Sequence, residues 1–215
     1  MKTFIFIVSA LTPLLPFTAS SQATNRVAEI SQENSSHDWS FAPSLYGYLV
    51  PESKDFVNAN LAVDHHWLHL EARYNYEALD SGSVWVGYNF QTGENLVFEV
   101  TPMLGGVFGH LSGIAPGANL SLTYKRFALS SQSELVFDTS DSEHFFNTWT
   151  EVTYSPWDWL RAGVVIQRTR TYKSDLDVQR GFLVGVTYKR ADFAVYVFNL
   201  GWTDPTVVLA TAFTF

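Results

Sequence analysis

In His110-Leu111-Ser112 an imidazole and a hydroxyl stand two residues apart. Positions two apart share a face of an extended chain, so the ring can take the hydroxyl proton and turn Ser112 into a nucleophile. The same residues also fit a plain glycine-rich loop, GGVFGHLSGIAPG. His65 and His66 carry metal-binding chemistry, but adjacent strand residues point to opposite faces and do not readily hold one ion together. The chain has no cysteine, which excludes a thiolate metal site and a disulfide framework. No metal and no cofactor is expected. A third set is ionic: His69, Glu71, Arg73, Glu99, Lys125, Glu134, Glu151 and Arg161. If these residues share the inside of a closed sheet, they either fill and cross-link a narrow interior or line a pore and set its ion preference. With both signs present, a filled interior is the preferred expectation. Glu151 and Arg161 are expected to pair across a hairpin turned by Pro156 to Asp158.

The elements that would hold these side chains are short and alternating. Turn signals such as PESKD, LDSGS, QTGE, DTSDSE, SPWD, YKSDLD, KRAD and WTDP break the chain after Ser40 into segments of about strand length. Twelve strands are predicted, near 40–50, 54–63, 66–77, 83–91, 94–105, 113–125, 127–138, 144–155, 158–171, 178–189, 192–200 and 205–215, with ten as the alternative count. Between Trp67 and Tyr76, Leu68, Leu70, Ala72, Tyr74 and Tyr76 oppose Trp67, His69, Glu71, Arg73 and Asn75. Between Asp158 and Gln167, Leu160, Ala162, Val164 and Ile166 oppose Arg161, Val165 and Gln167. The connections sort by end. Those from odd to even strands are mostly longer and more acidic, and those from even to odd strands (HH, QTGE, YKRF, PWD, KRAD) are tight.

Residues 1–23 resemble an export signal: Lys2, an apolar run broken by Pro13 and Pro16, and Ser21-Gln22-Ala23 as a small-x-small cleavage site. Residues 24–38 have no period and are expected to form a flexible leader. That leaves 39–215 as one domain. The formal charge is −8, and loss of Lys2 with the signal makes it more negative. Such a surface excludes nucleic acid and polybasic docking as partners. Aromatics make up 16% of residues, a level suited to interfacial girdles. After Phe17 no apolar run reaches helical-span length, so an integral membrane form must be a barrel.

The chain ends in VVLATAFTF. Val207, Leu209, Thr211, Phe213 and Phe215 share one face of an extended segment, and Val208, Ala210, Ala212 and Thr214 share the other. This end resembles the C-terminal signature of Gram-negative outer-membrane β-barrel proteins, with Thr211 more polar than the usual pattern. The resemblance implies an all-β, antiparallel, up-and-down transmembrane barrel in the outer membrane, exported through the periplasm. It also implies contact with outer-membrane lipid, and recognition of Phe213 and Phe215 by the barrel assembly machinery. His110 and Ser112 resemble the catalytic pair of outer-membrane phospholipase A and the lipid A deacylases. The match ends at those two residues: Gly113 stands where those families place Asn, and Thr123, Tyr124 and Lys125 stand where an Asn or Glu would orient the His. A non-enzymatic barrel with a charged, side-chain-filled lumen is therefore the expected function. A narrow channel for small polar solutes and a lipid hydrolase are the alternatives.

Overall fold

A computed structural model describes residues 39–51, 54–139, 144–171, 177–201 and 205–215. The expected signal 1–23 and leader 24–38 lie outside them, as do parts of the PESKD, DTSDSE, YKSDLD and WTDP connections. The described strands are β1 (Ser40–Leu49), β2 (Phe56–His65), β3 (Leu68–Tyr74), β4 (Ser81–Tyr88), β5 (Phe90–Thr92), β6 (Leu96–Gly109) and β7 (Gly113–Tyr124). They continue with β8 (Phe127–Asp138), β9 (His144–Trp157), β10 (Leu160–Thr171), β11 (Asp177–Tyr188), β12 (Ala191–Phe198) and β13 (Thr206–Phe213). Strands β4 and β5 both pair with β6 and are two halves of one stave interrupted at Asn89. The result is a closed, antiparallel, up-and-down barrel of twelve staves, as the turn rhythm predicts.

Closure is made at the chain's end. β1 and β13 pair antiparallel from Ser44 opposite Ala212 to Leu49 opposite Val207. The pairing runs past the last strand residue: Phe215 N–H donates to the Phe41 carbonyl at 2.9 Å, and Phe41 N–H donates to the Phe215 carbonyl at 3.1 Å. The terminal Phe thus belongs to the seam, with its ring outward beside Phe213. Closing the sheet leaves no unpaired edge along the seam, which an apolar solvent would otherwise penalise at every unsatisfied amide.

Alternation sorts the wall into two faces. Leu45, Val57, Val84, Leu104, Val164 and Leu209 exemplify an outward apolar belt, each roughly half exposed. Water would not tolerate a continuous belt of this extent, whereas lipid solvates it. At the end bearing the chain terminus the belt grades into a ring of aromatics. Trp67, Tyr88 and Phe90 form one stack, with centroids 5.2 and 4.4 Å apart, and Trp157 stacks on Trp159 at 5.8 Å. Such rings sit at membrane–water interfaces because they are apolar in body and polar at the edge.

The strand predicted at 94–105 runs on to Gly109 as β6, and two further elements differ in how they turn. The segment 66–77 leaves the sheet at Tyr74, because Asn75 adopts a left-handed φ of 56°. That turn is held by the Asn75 amide donating to the Val57 carbonyl at 3.0 Å and accepting from Asp80 N–H at 2.9 Å. The reversal ends the pleat, so Tyr76 points into the barrel instead of joining Tyr74 outside. The hairpin expected at Pro156 to Asp158 turns instead at Asp158 and Trp159, with β9 continuing to Trp157. A register irregularity between Leu160 and Ala162 follows, and it moves every pair above it.

Candidate functional site

Twelve staves enclose more space than the eight that ordinary side chains fill. Large residues point into that space. On the wall of β9, β12 and β1, Trp149 packs edge-on against Tyr196 and Phe198, with centroids 5.5 and 5.2 Å away. Tyr46, Tyr48 and Val165 belong to the same buried cluster. On the opposite wall Tyr76, Trp85, Met103 and Phe145 form a second one. Gly105 makes room for it: a Cβ there would collide with the Trp85 ring, so only glycine lets the indole lie flat on the wall.

Between the clusters runs a chain of ionisable groups. Near the chain-terminus end, His69 Nδ1 lies 2.7 Å from Asp64 Oδ1, and its Nε2 lies 2.9 Å from Glu71 Oε1. Asp64 also accepts from the Asn89 amide at 2.7 Å, and Asn89 accepts from the Thr101 hydroxyl at 2.6 Å. Glu71 in turn accepts from Arg73. Arg73 reaches across the interior to Glu134 on β8, Nη1 to Oε2 at 2.9 Å, and stands 3.9 Å from Glu77. Its guanidinium lies over the Tyr76 and Trp85 rings, at 4.2 and 4.5 Å from their centroids. The Arg73 side chain is 0% exposed. A cation buried so completely needs paired carboxylates and aromatic faces on all sides, and these residues supply both. Glu77 lies in the connection between β3 and β4 and accepts from Ser83 Oγ at 2.5 Å and Trp85 Nε1 at 3.3 Å. Burial pushes its carboxyl up above the ordinary value, against the pull of Arg73 and the two donors.

The structure brings His69, Glu71, Arg73 and Glu134 into one network; Glu151 and Arg161 are buried elsewhere in the interior, and Glu99 is half exposed. Lys125 does not join them. It is exposed in the β7–β8 turn with a left-handed φ of 53°, and its ammonium lies 5.1 Å from the Tyr124 ring centroid. The strand ends one residue before it, so strand parity does not apply. The expected Glu151–Arg161 pair is also corrected. With the turn at Asp158 and Trp159, Glu151 stands opposite Val165 and accepts from Trp149 Nε1 at 2.8 Å. Arg161 instead pairs with both oxygens of Asp192 on β12, its Nη2 to Oδ1 distance being 2.7 Å. Thr187 Oγ1 donates to the same carboxylate at 2.8 Å.

That partner lies two strands away. Arg161 is opposite Gly185 on β11, and a Cβ on Gly185 would stand 2.6 Å from the Arg161 guanidinium carbon. The arginine crosses β11 through the gap that a glycine leaves. Asp192 was missed because nearest-strand pairing does not reach it; the signal was an inward Asp beside a glycine on the intervening strand. Trp85 and Trp149 escape a reading that assigns aromatics to girdles, and Tyr76 and Glu77 escape strand parity because the left-handed Asn75 ends the alternation before them. Trp149 shares strand parity with Glu151, which was the available clue.

At the far end His110 is exposed and Ser112 half-buried. The Ser112 hydroxyl donates to the Gly109 carbonyl at 3.3 Å, which directs its proton at the backbone and not at the imidazole. His65 stacks on Trp39 at 4.5 Å and meets the His66 ring edge-on at 4.4 Å. Among the described residues no group of three or more His, Cys, Asp or Glu is placed to hold a metal ion.

No protein-family model matches the sequence, and no curated protein matches it. Solved structures do match. The KdgM porin is 12% identical, with a TM-score of 0.57 over 81% of this chain and 99% of that one. A KdgM porin in complex with disordered oligogalacturonate aligns at 12% identity and a TM-score of 0.58, again over 81% and 99%. The Acinetobacter baumannii outer membrane protein Omp33 is 10% identical, with a TM-score of 0.51 over 82% of this chain and 98% of that one. At such identities the likeness is one of fold, and the fold is that of bacterial outer-membrane β-barrels.

Proposed function

We propose that the protein is a barrel of the bacterial outer membrane whose interior is filled by its own side chains, a structural and surface-presenting element and not an open diffusion pore. One observation carries this reading: Arg73, with a side chain 0% exposed, bridges Glu71 on β3 and Glu134 on β8 through the middle of the interior. Aromatic rings cover it, and aromatic clusters occupy both walls. An open twelve-stave pore would leave such groups hydrated. The oligogalacturonate of the KdgM porin complex is a polyanion. Among the described residues the buried carboxylates Glu71, Glu134, Glu151 and Asp192 outnumber the buried arginines Arg73 and Arg161, a balance that repels such a solute. Outer-membrane lipid and, through Phe213 and Phe215, the assembly machinery are the partners this reading implies.

A narrow channel for small polar solutes is the second reading. Asn58, Asn60, Asn119 and Ser130 each have a buried side-chain atom with no protein partner. Groups of this kind are commonly met by internal water, and a thread of water beside surplus carboxylates would pass small cations first. Planar-bilayer recordings in concentrated KCl separate the two. The expected outcome is the absence of steady openings from protein whose folding has been checked. A steady, ohmic, cation-preferring conductance overturns the filled-barrel reading and promotes the channel. The hydrolase alternative, resting on His110 and Ser112, requires phospholipid or lipid A cleavage by the same preparation.

A further inference from the structure

Two turns at the chain-terminus end repeat one design. Tyr124-Lys125-Arg126 joins β7 to β8, and Tyr188-Lys189-Arg190 joins β11 to β12. In each the lysine takes a left-handed φ, 53° at Lys125 and 56° at Lys189. In each its ammonium stands over the ring of the preceding tyrosine, 5.1 and 5.4 Å from the centroids. All four cations are exposed, and Arg126 Nη1 also approaches the Ser155 carbonyl at 3.5 Å. Two-residue hairpins favour glycine or asparagine at left-handed positions, because a larger side chain crowds the backbone. Lysine twice in that position gives up turn preference and keeps a cation.

The surroundings indicate what the cations meet. Tyr124 and Tyr188 are 45% and 67% exposed and belong to the outward aromatic ring. Between the two turns the Trp157–Trp159 stack continues that ring. Aromatics of this kind settle at headgroup depth, so a lysine resting on one is held at the level of lipid phosphates. The chain is acidic as a whole, at −8, yet neither turn contains a carboxylate. The carboxylates nearest in sequence are Glu134, engaged by Arg73, and Asp192, engaged by Arg161, while Asp158 lies in the separate turn between them.

We propose that each Tyr-Lys-Arg turn binds the phosphate of an anionic phospholipid in the leaflet at the chain-terminus end. Lysine supplies a compact charge and arginine a planar fork for the phosphate oxygens. The turns are four strands apart, about 20 Å along the rim, so each takes its own lipid. This inference requires that the barrel span a bilayer, and it holds whether the interior is filled or conducting.

The test uses the mature protein folded into vesicles of phosphatidylcholine mixed with phosphatidylglycerol, followed by gentle detergent extraction and measurement of the retained lipid. Wild type should retain phosphatidylglycerol several-fold above the bulk ratio, and salt added before extraction should abolish the enrichment. The variant K125N/R126S/K189N/R190S keeps residues that tolerate the left-handed turn and should retain lipid at the bulk ratio. Equal enrichment in wild type and variant, or enrichment indifferent to salt, overturns the proposal. If the fourfold variant does not fold, K125N/R126S and K189N/R190S each remove one turn and should each lose about half of the enrichment. Retention of all of it by both overturns the proposal as well.

Discussion

Arg73 takes two full carboxylate contacts, from Glu71 and Glu134, and a third carboxylate, Glu77, stands 3.9 Å away. Among buried groups one guanidinium compensates two carboxylates only with help, and His69 contacts Glu71 on its far side. The third acid is better accommodated neutral, which accords with burial raising the Glu77 carboxyl above its ordinary value. The sign of the linkage follows. A carboxyl that holds its proton more tightly folded than unfolded makes the folded state bind more protons, so stability rises as pH falls through the raised folded value. Glu77→Gln presents a neutral group at every pH, and its amide oxygen can still accept from Ser83 and Trp85. The variant is expected to be more stable than wild type near neutral pH, by on the order of 1 kcal/mol, with the difference shrinking in mild acid. Urea unfolding in lipid at several pH values checks this. A wild-type pH slope that persists unchanged in the variant assigns the titration to another group.

At the scale of elements, hairpin rhythm was the legible part. Turn residues mark chain reversals locally, and a period of two reveals which face a side chain takes; hence twelve staves, the outward Leu160, Ala162 and Val164, and the inward Arg161 and Gln167 were all accessible. Height along the barrel was not. A hairpin that turns one or two residues later slides every opposite pair, and Asp158-Trp159 in place of Pro156 to Asp158 moved Glu151 from Arg161 to Val165. Asn75 shows a second limit: one left-handed residue ends the alternation and sends Tyr76 and Glu77 inside. The seam was legible in kind, since a terminal strand with Phe213 and Phe215 on one face asks for an edge to pair with, and β1 provides it. Phe215 contributes an exposed ring and two backbone bonds to Phe41, a modest share of a barrel's stability. Deleting Phe215 should nevertheless sharply reduce the amount of assembled barrel in cells, while protein refolded in vitro loses no more than about 2 kcal/mol. Normal assembly of the deletion would remove the role of the C-terminus as an insertion signal.

For the molecule as a whole, stability is tied to closure. Backbone pairing between neighbouring staves runs all the way round the barrel, and the last pairing, β1 with β13, closes the seam where detergent or lipid would otherwise meet an open edge. Surfactant tails solvate the outward belt as lipid does, so they offer the belt no reason to unfold. Inside, the two aromatic clusters and the Arg73 and Arg161 ion pairs join strands that are not neighbours, as Arg73 on β3 does with Glu134 on β8. Opening one hairpin would expose unpaired amides to an apolar solvent and leave buried charges without partners, a loss of several kcal/mol each. Partial unfolding is therefore disfavoured and the barrel should resist detergent until heat breaks many contacts together. Mature protein in dodecyl sulfate should migrate as a compact, fast band when unheated and as a slower, extended band after boiling. It should also fractionate with outer membranes. A single band unaffected by boiling, together with recovery of folded protein from the soluble periplasm, would contradict both the lipid assignment of the belt and the closure of the seam.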